Sequence, residues 1–454
     1  MNEGIAKVAA DAAQDRLDEL AGLAEEVIGA CQRQGASQVE VGLSEDRGLS
    51  ANVRLGEVET IEYTRDRGLS LTVYFGKRKG SASTADLQAG SIRTTVEQAC
   101  ALARFTEEDD CAGLADPNRM ARAFPDFDLW HPEPMDADSA VAIALRAEQA
   151  GRDLDRRISN SDGASASQSE SLSVYANSHG FIGKERGTSY SISASLIAGE
   201  GDGMQRDYWY DAHCQRALMD DPEAIGRRAA ERTLARLAPR DPKTGTYPVL
   251  FSAEVARSLF GSLVSAVSGG ALYRKASFLI DHLGKQVLPR GFDLLERPHL
   301  LRGHRSAAFD SEGVATRESY LVRDGMLERY VLGSYAARKL GMVSTGNSGG
   351  MHNTKVACDT AERAAIIAGM GTGLLVTELM GQGTNLLTGD YSRGAAGFWV
   401  ENGQIAYPVD EVTIAGNLRD MLLAIEAVGT DVDRRSSLEV GSVLIGRMTV
   451  AGGD

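Results

Sequence analysis

The chain has 454 residues, 43% of them hydrophobic and 24% charged, a length beyond one ordinary core and a composition that excludes a disordered chain, so two domains are expected. Lys and Arg number 48 against 63 Asp and Glu, a net charge of −15; neutralising phosphates needs a concentrated basic surface, so the balance argues against a nucleic-acid partner. Five widely spaced cysteines (Cys31, Cys100, Cys111, Cys214, Cys358) form no CxxC pair and read as reduced thiols.

No stretch approaches the ~20 apolar residues of a membrane span, and the first residues lack the apolar core of a signal peptide. A cytoplasmic location without membrane contact is expected.

In chain order, Asp15 to Gly35 carries Leu17, Leu20, Ala24, Val27, Ile28 and Cys31 at helical spacing and stops at glycine, which predicts an amphipathic helix. Period-two stretches follow ("QVEVGLS", "LSANVRLGEVETIEY", "GLSLTVYFGKRKGSAST"), with turn points at Leu55-Gly56-Glu57-Val58 and Phe75-Gly76-Lys77, hence an antiparallel meander. A second helix is predicted over Ser91 to Arg104. Residues 105–136 are rich in acid, proline and small side chains and read as a long surface excursion. Helix resumes from Asp138 to Leu154. The serine-rich "SASQSESLSVYANSHGFIGKERGTSYSISASLIAGEG" alternates too regularly for a linker and predicts strands. A helix from Pro222 to Leu237 closes the first half, and the Pro/Gly/charge-rich residues 238–248 mark the boundary.

The second half is rich in glycine and leans to β structure. Strands are predicted near Gly373 to Leu379, Gly397 to Glu401, Ile405 to Val409 and Ser442 to Val450, with helices from Glu254 to Val267 and Tyr335 to Leu340. Strands grouped with a few helices, without regular βα alternation, predict an α+β fold. The domains are set at 1–240, an α/β unit, and 241–454, a β-rich unit.

The stretch "LFSAEVARSLFGS" places Glu254 at a helix start behind an apolar strand. Zinc hydrolases keep a histidine-flanked glutamate in such a position as general base for a metal-bound water. Its flanking positions here hold Ala253 and Ser258. None of the seven histidines lies four residues from another, so no HExxH helix exists. His299 and His304 are the closest pair, in a loop without further donors at ligand spacing. The glycines of "GMGTGLLVTEL" precede a strand rather than open a helix, which speaks against a dinucleotide cradle. No GxSxG elbow occurs, and "GNSGG" reads as a turn. The densest polar segment sets Asp390, Tyr391, Ser392 and Arg393 among glycines that include Gly381 and Gly383. A charged hairpin tip and a peptide-binding edge both fit it at this point.

Several blocks resemble a known family. "EVETIEYTRDRGLSLTVYFGKRKGSAST" in the first half is similar to the N-terminal domain of TldD/PmbA proteins. "FDSEGVATR", "LGSYAARKLGMVSTGNSGGMHN" and "MGTGLLVTELMGQGTNLLTGDYSRGAAGFWVENGQIAYPVDEVTIAGNL" resemble its PmbA branch, also called TldE. The resemblance implies an N-terminal domain with a curved antiparallel sheet and a β-rich C-terminal domain. It also implies a TldD-type partner that carries an HExxxH helix, a C-terminal cysteine and a metal, expected to be zinc. Carried onto this chain, the helix frame falls on Ala253, Glu254 and Ser258, of which only the glutamate matches, and the last cysteine is Cys358.

The implied role is a non-catalytic subunit, without cofactor or metal of its own, in a complex that degrades or processes unfolded or extended peptides. Glu254 then offsets the positive end of its helix or pairs with a basic neighbour. Peptide would be held by strand addition at Gly381, Gly383, Asp390, Tyr391, Ser392 and Arg393, with His352 as a further contact. A homodimer of the isolated chain is compatible with this reading. Two rivals remain: an active metallopeptidase borrowing His352, or His299 with His304, as ligands, and a peptide-binding module without proteolytic role.

Overall fold

The structure, a computed structural model, describes residues 3–452. Helix α1 (Glu3–Arg33) leads into strands β1 (Gln38–Arg54), β2 (Glu57–Phe75) and β3 (Arg78–Thr84). Helices α2 (Ala89–Phe105) and α3 (Ala137–Arg152) follow, then β4 (Ile158–Asn177), β5 (Ile182–Ala198), β6 (Gln205–His213) and α4 (Pro222–Ala235). The strands form one sheet of order β3-β2-β1-β4-β5-β6 with every neighbour antiparallel.

The two-residue period of β1 buries Val39, Val41, Leu43, Leu49, Ala51 and Val53 on one face. Leu20, Val27 and Val96 of α1 and α2 cover one end of that face. Ala144, Ala147, Ile225 and Ala229 of α3 and α4 cover the other. The opposite face carries serine ladders, with the Ser165 and Ser193 hydroxyls 2.8 Å apart and those of Ser167 and Ser191 2.9 Å apart. The serine alternation is therefore a sheet with one apolar and one polar face. Between β1 and β2, Leu55 and Gly56 both take positive φ, 55° and 85°, in a two-residue hairpin turn. Their N–H groups donate to the buried Glu148 carboxylate of α3 at 2.8 Å each.

Residues 106–136 differ from the expected surface excursion. They strap the first half to the second: Ala121 N–H donates to Gly313 O at 3.0 Å, and Arg338 donates to the carbonyls of Cys111 at 3.0 Å and Gly113 at 2.8 Å. Met120, Phe181, Phe309 and Val314 bury one another there. Prolines and acids deny this segment a ladder of its own, so its backbone groups find partners on neighbouring loops.

The second half opens with β7 (Gly245–Phe251), α5 (Ala253–Ala266) and α6 (Gly269–Tyr273). Next come β8 (Asp293–Glu296), β9 (Ser319–Arg323), β10 (Met326–Leu327), α7 (Ser334–Lys339), β11 (Thr354–Ala357) and α8 (Arg363–Met370). It closes with β12 (Gly373–Met380), β13 (Asp390–Glu401), β14 (Gln404–Asn417), α9 (Leu418–Leu423), β15 (Ile425–Val428), β16 (Leu438–Glu439) and β17 (Val443–Ala451). One sheet runs β14-β13-β12-β7-β17-β15, and pairing of β14 with β17 through Thr413–Ala415 closes a ring. A second runs β10-β9-β8-β11-β16. Phe251, Phe260, Leu263, Leu294 and Leu374 share the core between them. The fold is α+β, as the patterning predicts.

Helices α3 and α4 cross at glycines. A Cβ on Gly226 would lie 1.8 Å from Ala147 O, whereas one on Gly261 in α5 meets nothing within 4 Å. Gly226→Ala is expected to cost about 1–3 kcal/mol or more despite alanine's helix preference. Gly261→Ala should be neutral or stabilising by up to ~1 kcal/mol. Urea midpoints of the two variants check the contrast.

Candidate functional site

Strand β7 lies inside its sheet, bonded to β12 on one side and β17 on the other. Val249, Leu250 and Phe251 are fully buried in it. The apolar run therefore fixes where α5 begins, and Glu254 falls in the first turn of α5, at its positive end. Ala253 is buried, and the Ser258 hydroxyl donates back to Val255 O at 2.7 Å.

Glu254 faces guanidinium groups. Its Oε1 stands 3.4 Å from Arg232 Nη1 and 4.0 Å from Arg435 Nη2. Arg232 also reaches Asp207 at 3.2 Å, and Arg435 holds Asp433 at 2.9 Å. Arg435 lies 3.8 Å over the Trp209 ring, with Arg232 5.1 Å from the same ring. Burial alone would raise the Asp433 carboxyl, but hydrogen bonds from Arg435, with the positive charges of Arg435 and of Arg257 at 3.7 Å, hold it below its ordinary range. A cavity of about 800 Å³ opens beside this network, lined by Trp209, Arg228, Glu254, Arg302 and Asp433 among others.

The centre does not fit a hydrolytic metal. A methyl group and a self-bonded hydroxyl occupy the positions where imidazoles would be needed. Among the described residues, no group of three His, Cys, Asp or Glu side chains is placed to hold an ion. His299 instead bonds Thr316 at 2.9 Å and stacks on Phe127, while His304 bonds Arg434 O at 3.0 Å.

A second cavity, about 630 Å³, lies between β5 and the loops around residues 304–311 and 348–352. His352 lines it, 8% exposed, with Nδ1 2.9 Å from Glu296 Oε1. Glu296 also accepts from His352 N–H at 2.7 Å, Asn347 Nδ2 at 2.8 Å and Arg329 Nη2 at 2.5 Å. Burial pushes its carboxyl up, but these donors prevail and hold it below the ordinary range. An ionised Glu296 accepts, so Nδ1 of His352 carries the proton and Nε2 is the ring nitrogen left for the cavity. Glu185 faces the same space from β5; the cavity walls raise its carboxyl, and His352 opposes that shift. Asp310, also on the wall, is pushed up to about 6 by burial although three backbone N–H groups, of Ser348, Glu312 and Val314, donate to it.

The structure separates the peptide-contact residues read from the sequence. Gly381, Gly383, Asp390, Tyr391, Ser392 and Arg393 belong to the β12–β13 connection and the start of β13, and none lines the cavity that holds His352. Two facts correct the edge reading there. Strand β13 is bonded to β14 from Asp390 onward and to β12 from Gly394 onward, and over residues 390–393 the second side is taken by the loop after β12, with Ser392 N–H donating to Gly383 O at 2.7 Å and Asn385 N–H to Asp390 O at 2.8 Å, so the backbone there has no free side for a peptide. Tyr391 is only 2% exposed, and a Cβ on Gly383 would sit 1.5 Å from Ser392 O. Those glycines serve close approach within the chain.

Sequence reading missed Arg232, Arg435, Glu185 and Glu296, which meet their partners across long separations. The only signal was indirect: Asp310 and His352 fall inside the blocks "FDSEGVATR" and "GNSGGMHN".

Fold and site together define an α+β protein whose helix α5 opens, behind a buried strand, on a carboxylate ion-paired to two arginines. Three domain models of one family match it in order: PmbA/TldA metallopeptidase domain 1 over residues 39–103, the central domain over 130–237 and the C-terminal domain over 244–452. Metalloprotease PmbA of Escherichia coli O157:H7 is 48% identical over 91% of this chain and 92% of its own length. A PmbA homologue of Haemophilus influenzae is 47% identical over 92% and 93%. The chain belongs to the PmbA/TldD family. A crystal structure from Bacteroides thetaiotaomicron, named as a candidate modulator of DNA gyrase, superposes with a TM-score of 0.90 at 28% identity over 96% of this chain and 99% of that one. TldE from Thermococcus kodakarensis shares the fold, with a TM-score of 0.81 at 21% identity over 95% of this chain and 100% of its own.

The raised Asp310 carboxyl gives a pH test. The folded chain binds this proton more tightly than an unfolded aspartate near 3.9, so stability falls as pH rises from about 4 to about 6. Asp310→Asn, which keeps an acceptor oxygen, should flatten that fall relative to the parent. Urea midpoints across this range decide; identical slopes would discard the assignment.

Proposed function

We propose that this chain is the non-catalytic, TldE-type subunit of a cytoplasmic metallopeptidase assembly that degrades or processes unfolded or extended peptides. In this reading the metal, expected to be zinc, belongs to a TldD-type partner. The observation that carries the proposal is the α5 frame, where Glu254 is retained but answered by Arg232 and Arg435, with Ala253 and Ser258 at the ligand positions. Without an ion to acidify a water, a carboxylate alone gives little hydrolytic power. The fold shared with TldE, and relatives named TldD homologues in Buchnera aphidicola and Saccharolobus solfataricus, support a paired arrangement. The metalloprotease names of the PmbA relatives favour an active enzyme instead, and the donor set at α5 weighs against placing that activity in this chain.

Purified chain and purified TldD-type partner, alone and mixed, should be assayed for bound metal and for cleavage of an unstructured peptide. Cleavage is expected only with the partner present, and Glu254→Gln should leave the mixed rate within about twofold. About one tightly held transition metal per isolated chain, or a ~100-fold loss in Glu254→Gln, would overturn the proposal.

Peptide is assigned to the cavity beside β5. Between Ile182 and Ser189 this strand pairs only with β4, because β6 joins it from Tyr190 onward. Thr188 N–H points outward and is taken by Leu129 O at 2.9 Å, so the alternate residues Lys184 and Arg186 turn their backbone groups to the same open side. A peptide added there meets His352 Nε2 across the cavity and obtains sequence-tolerant backbone bonds. His352→Gln should weaken binding of a fluorescent peptide by about tenfold, the effect of one lost buried hydrogen bond. Unchanged affinity would remove the peptide from this cavity.

A further inference from the structure

A further cavity, about 700 Å³, lies at the seam between the strap and the second half, where Met120 bridges Val314. The register of the seam builds it: Ala121 N–H donates to Gly313 O at 3.0 Å, and Ala315 N–H donates to Arg119 O at 2.9 Å. Met120 and Val314, both buried, supply apolar wall. Arg119 and Arg122 line the cavity from the strap, and Arg317 lines it from the second half. Only the folded seam brings these three together.

Charge sets this wall apart. Among the described residues no Asp or Glu lines it, although the chain holds 63 acids against 48 Lys and Arg. Nor do the ion pairs among the described residues include any of the three arginines. Arg119 is fixed by a carbonyl instead, with Nη2 donating to Ser344 O at 2.7 Å, and its Nε is buried without an acceptor. Arg122 and Arg317 are exposed. Neighbouring acids are engaged elsewhere: Asp116 accepts from Asn118 N–H at 2.9 Å and Glu312 from Ser334 N–H at 2.8 Å. Glu318 follows Arg317 in the chain but is exposed and stands outside the wall. His299 lines the cavity too; burial holds its imidazolium below the ordinary range, so at neutral pH the arginines supply the charge. Like charges gathered on one wall repel, and screening relieves this only in part.

We propose that this cavity binds a small molecule carrying two or more oxyanion groups, phosphate or carboxylate, through Arg119, Arg122 and Arg317. A guanidinium is planar, always charged and offers paired N–H donors that match either oxyanion. Three of them on one wall outnumber what a single anionic group can engage, which calls for a multiply charged ligand. The volume selects a small molecule, since cavities of roughly 300–1,000 Å³ hold such compounds. An extended polyanion is disfavoured by the net charge of −15, whose field repels it at a distance. The apolar wall at Met120 and Val314 keeps water from part of the ligand and strengthens its charged bonds. The inference needs neither metal nor peptide: the cavity shares only Pro125 and Ala308 with the one that holds His352, and nothing with the one beside Glu254.

Isothermal titration calorimetry of the full chain tests it, with pyrophosphate and citrate as separate probes near neutral pH and at a fixed ionic strength of about 0.15 M. The parent chain is expected to bind one equivalent of at least one probe with a Kd below about 1 mM. Tighter pyrophosphate binding assigns the phosphate class and tighter citrate binding the carboxylate class, while equal affinities assign their shared oxyanion chemistry. Arg122→Gln/Arg317→Gln replaces two exposed side chains and should weaken binding by at least about tenfold with the far-UV circular dichroism unchanged. If that pair does not fold, each single replacement is expected to weaken binding by about threefold or more. Absence of saturable binding of either probe up to about 10 mM overturns the inference, as does a glutamine variant that binds like the parent.

Discussion

The Arg435 guanidinium stacks on Trp209 and Tyr210 of β6, while its nitrogens reach Asp433 and, more distantly, Glu254 at the head of α5. Arg232 and Arg236 of the first half extend the same network to Asp207, Glu378 and Asp410. Charges this poorly hydrated are tolerated only when paired, and removing one partner leaves the other exposed to the full desolvation cost. The position of β6 against α5, the wall of the larger cavity and the orientation of Glu254 all follow from satisfying these arginines together.

Closure of backbone hydrogen bonding decides where anything else can attach. In the second half, β14 returns to β17 and seals the ring, and the glycine-rich segment after β12 bonds to the start of β13 through Ser392 N–H to Gly383 O and Asn385 N–H to Asp390 O, so it offers no free ladder there. In the first half the sheet stays open, and three strands outrun a neighbour among the described residues: β4 before Ala164, β5 before Tyr190 and β2 before Leu69. These stretches differ in setting. The β5 edge faces the cavity wall that holds His352, whereas the β2 edge faces outward with apolar and charged side chains in sequence order.

Periodicity made the elements legible. The apolar steps of α1, the alternation of β1 and β2 and the serine ladder of β4 and β5 follow from local pattern, and the Leu55-Gly56 turn was marked by its glycine. What pattern could not carry was pairing at a distance. Residues 106–136 look like a loose excursion because nothing local shows Arg338 waiting for their carbonyls. Asp390 to Arg393 look like an edge because a glycine-flanked strand reads the same whether one neighbour or two lie beside it. At α5, by contrast, the missing imidazoles were plain from the sequence, while the arginines that answer Glu254 were not.

That difference bears on why the first turn of α5 carries a glutamate. A carboxylate that had merely outlived its metal would be free to drift, since a surface acid contributes little stability. Glu254 is differently placed. It lies in the first turn of a helix, where negative charge is favoured, and it stands before two arginines whose remaining acids, Asp207 and Asp433, are already engaged. Neutralising it would leave Arg232 and Arg435 with one counter-charge each at a part-buried junction. Electrostatics of the junction is therefore sufficient reason for the residue to stay acidic, and its presence at this position is not by itself evidence for hydrolysis.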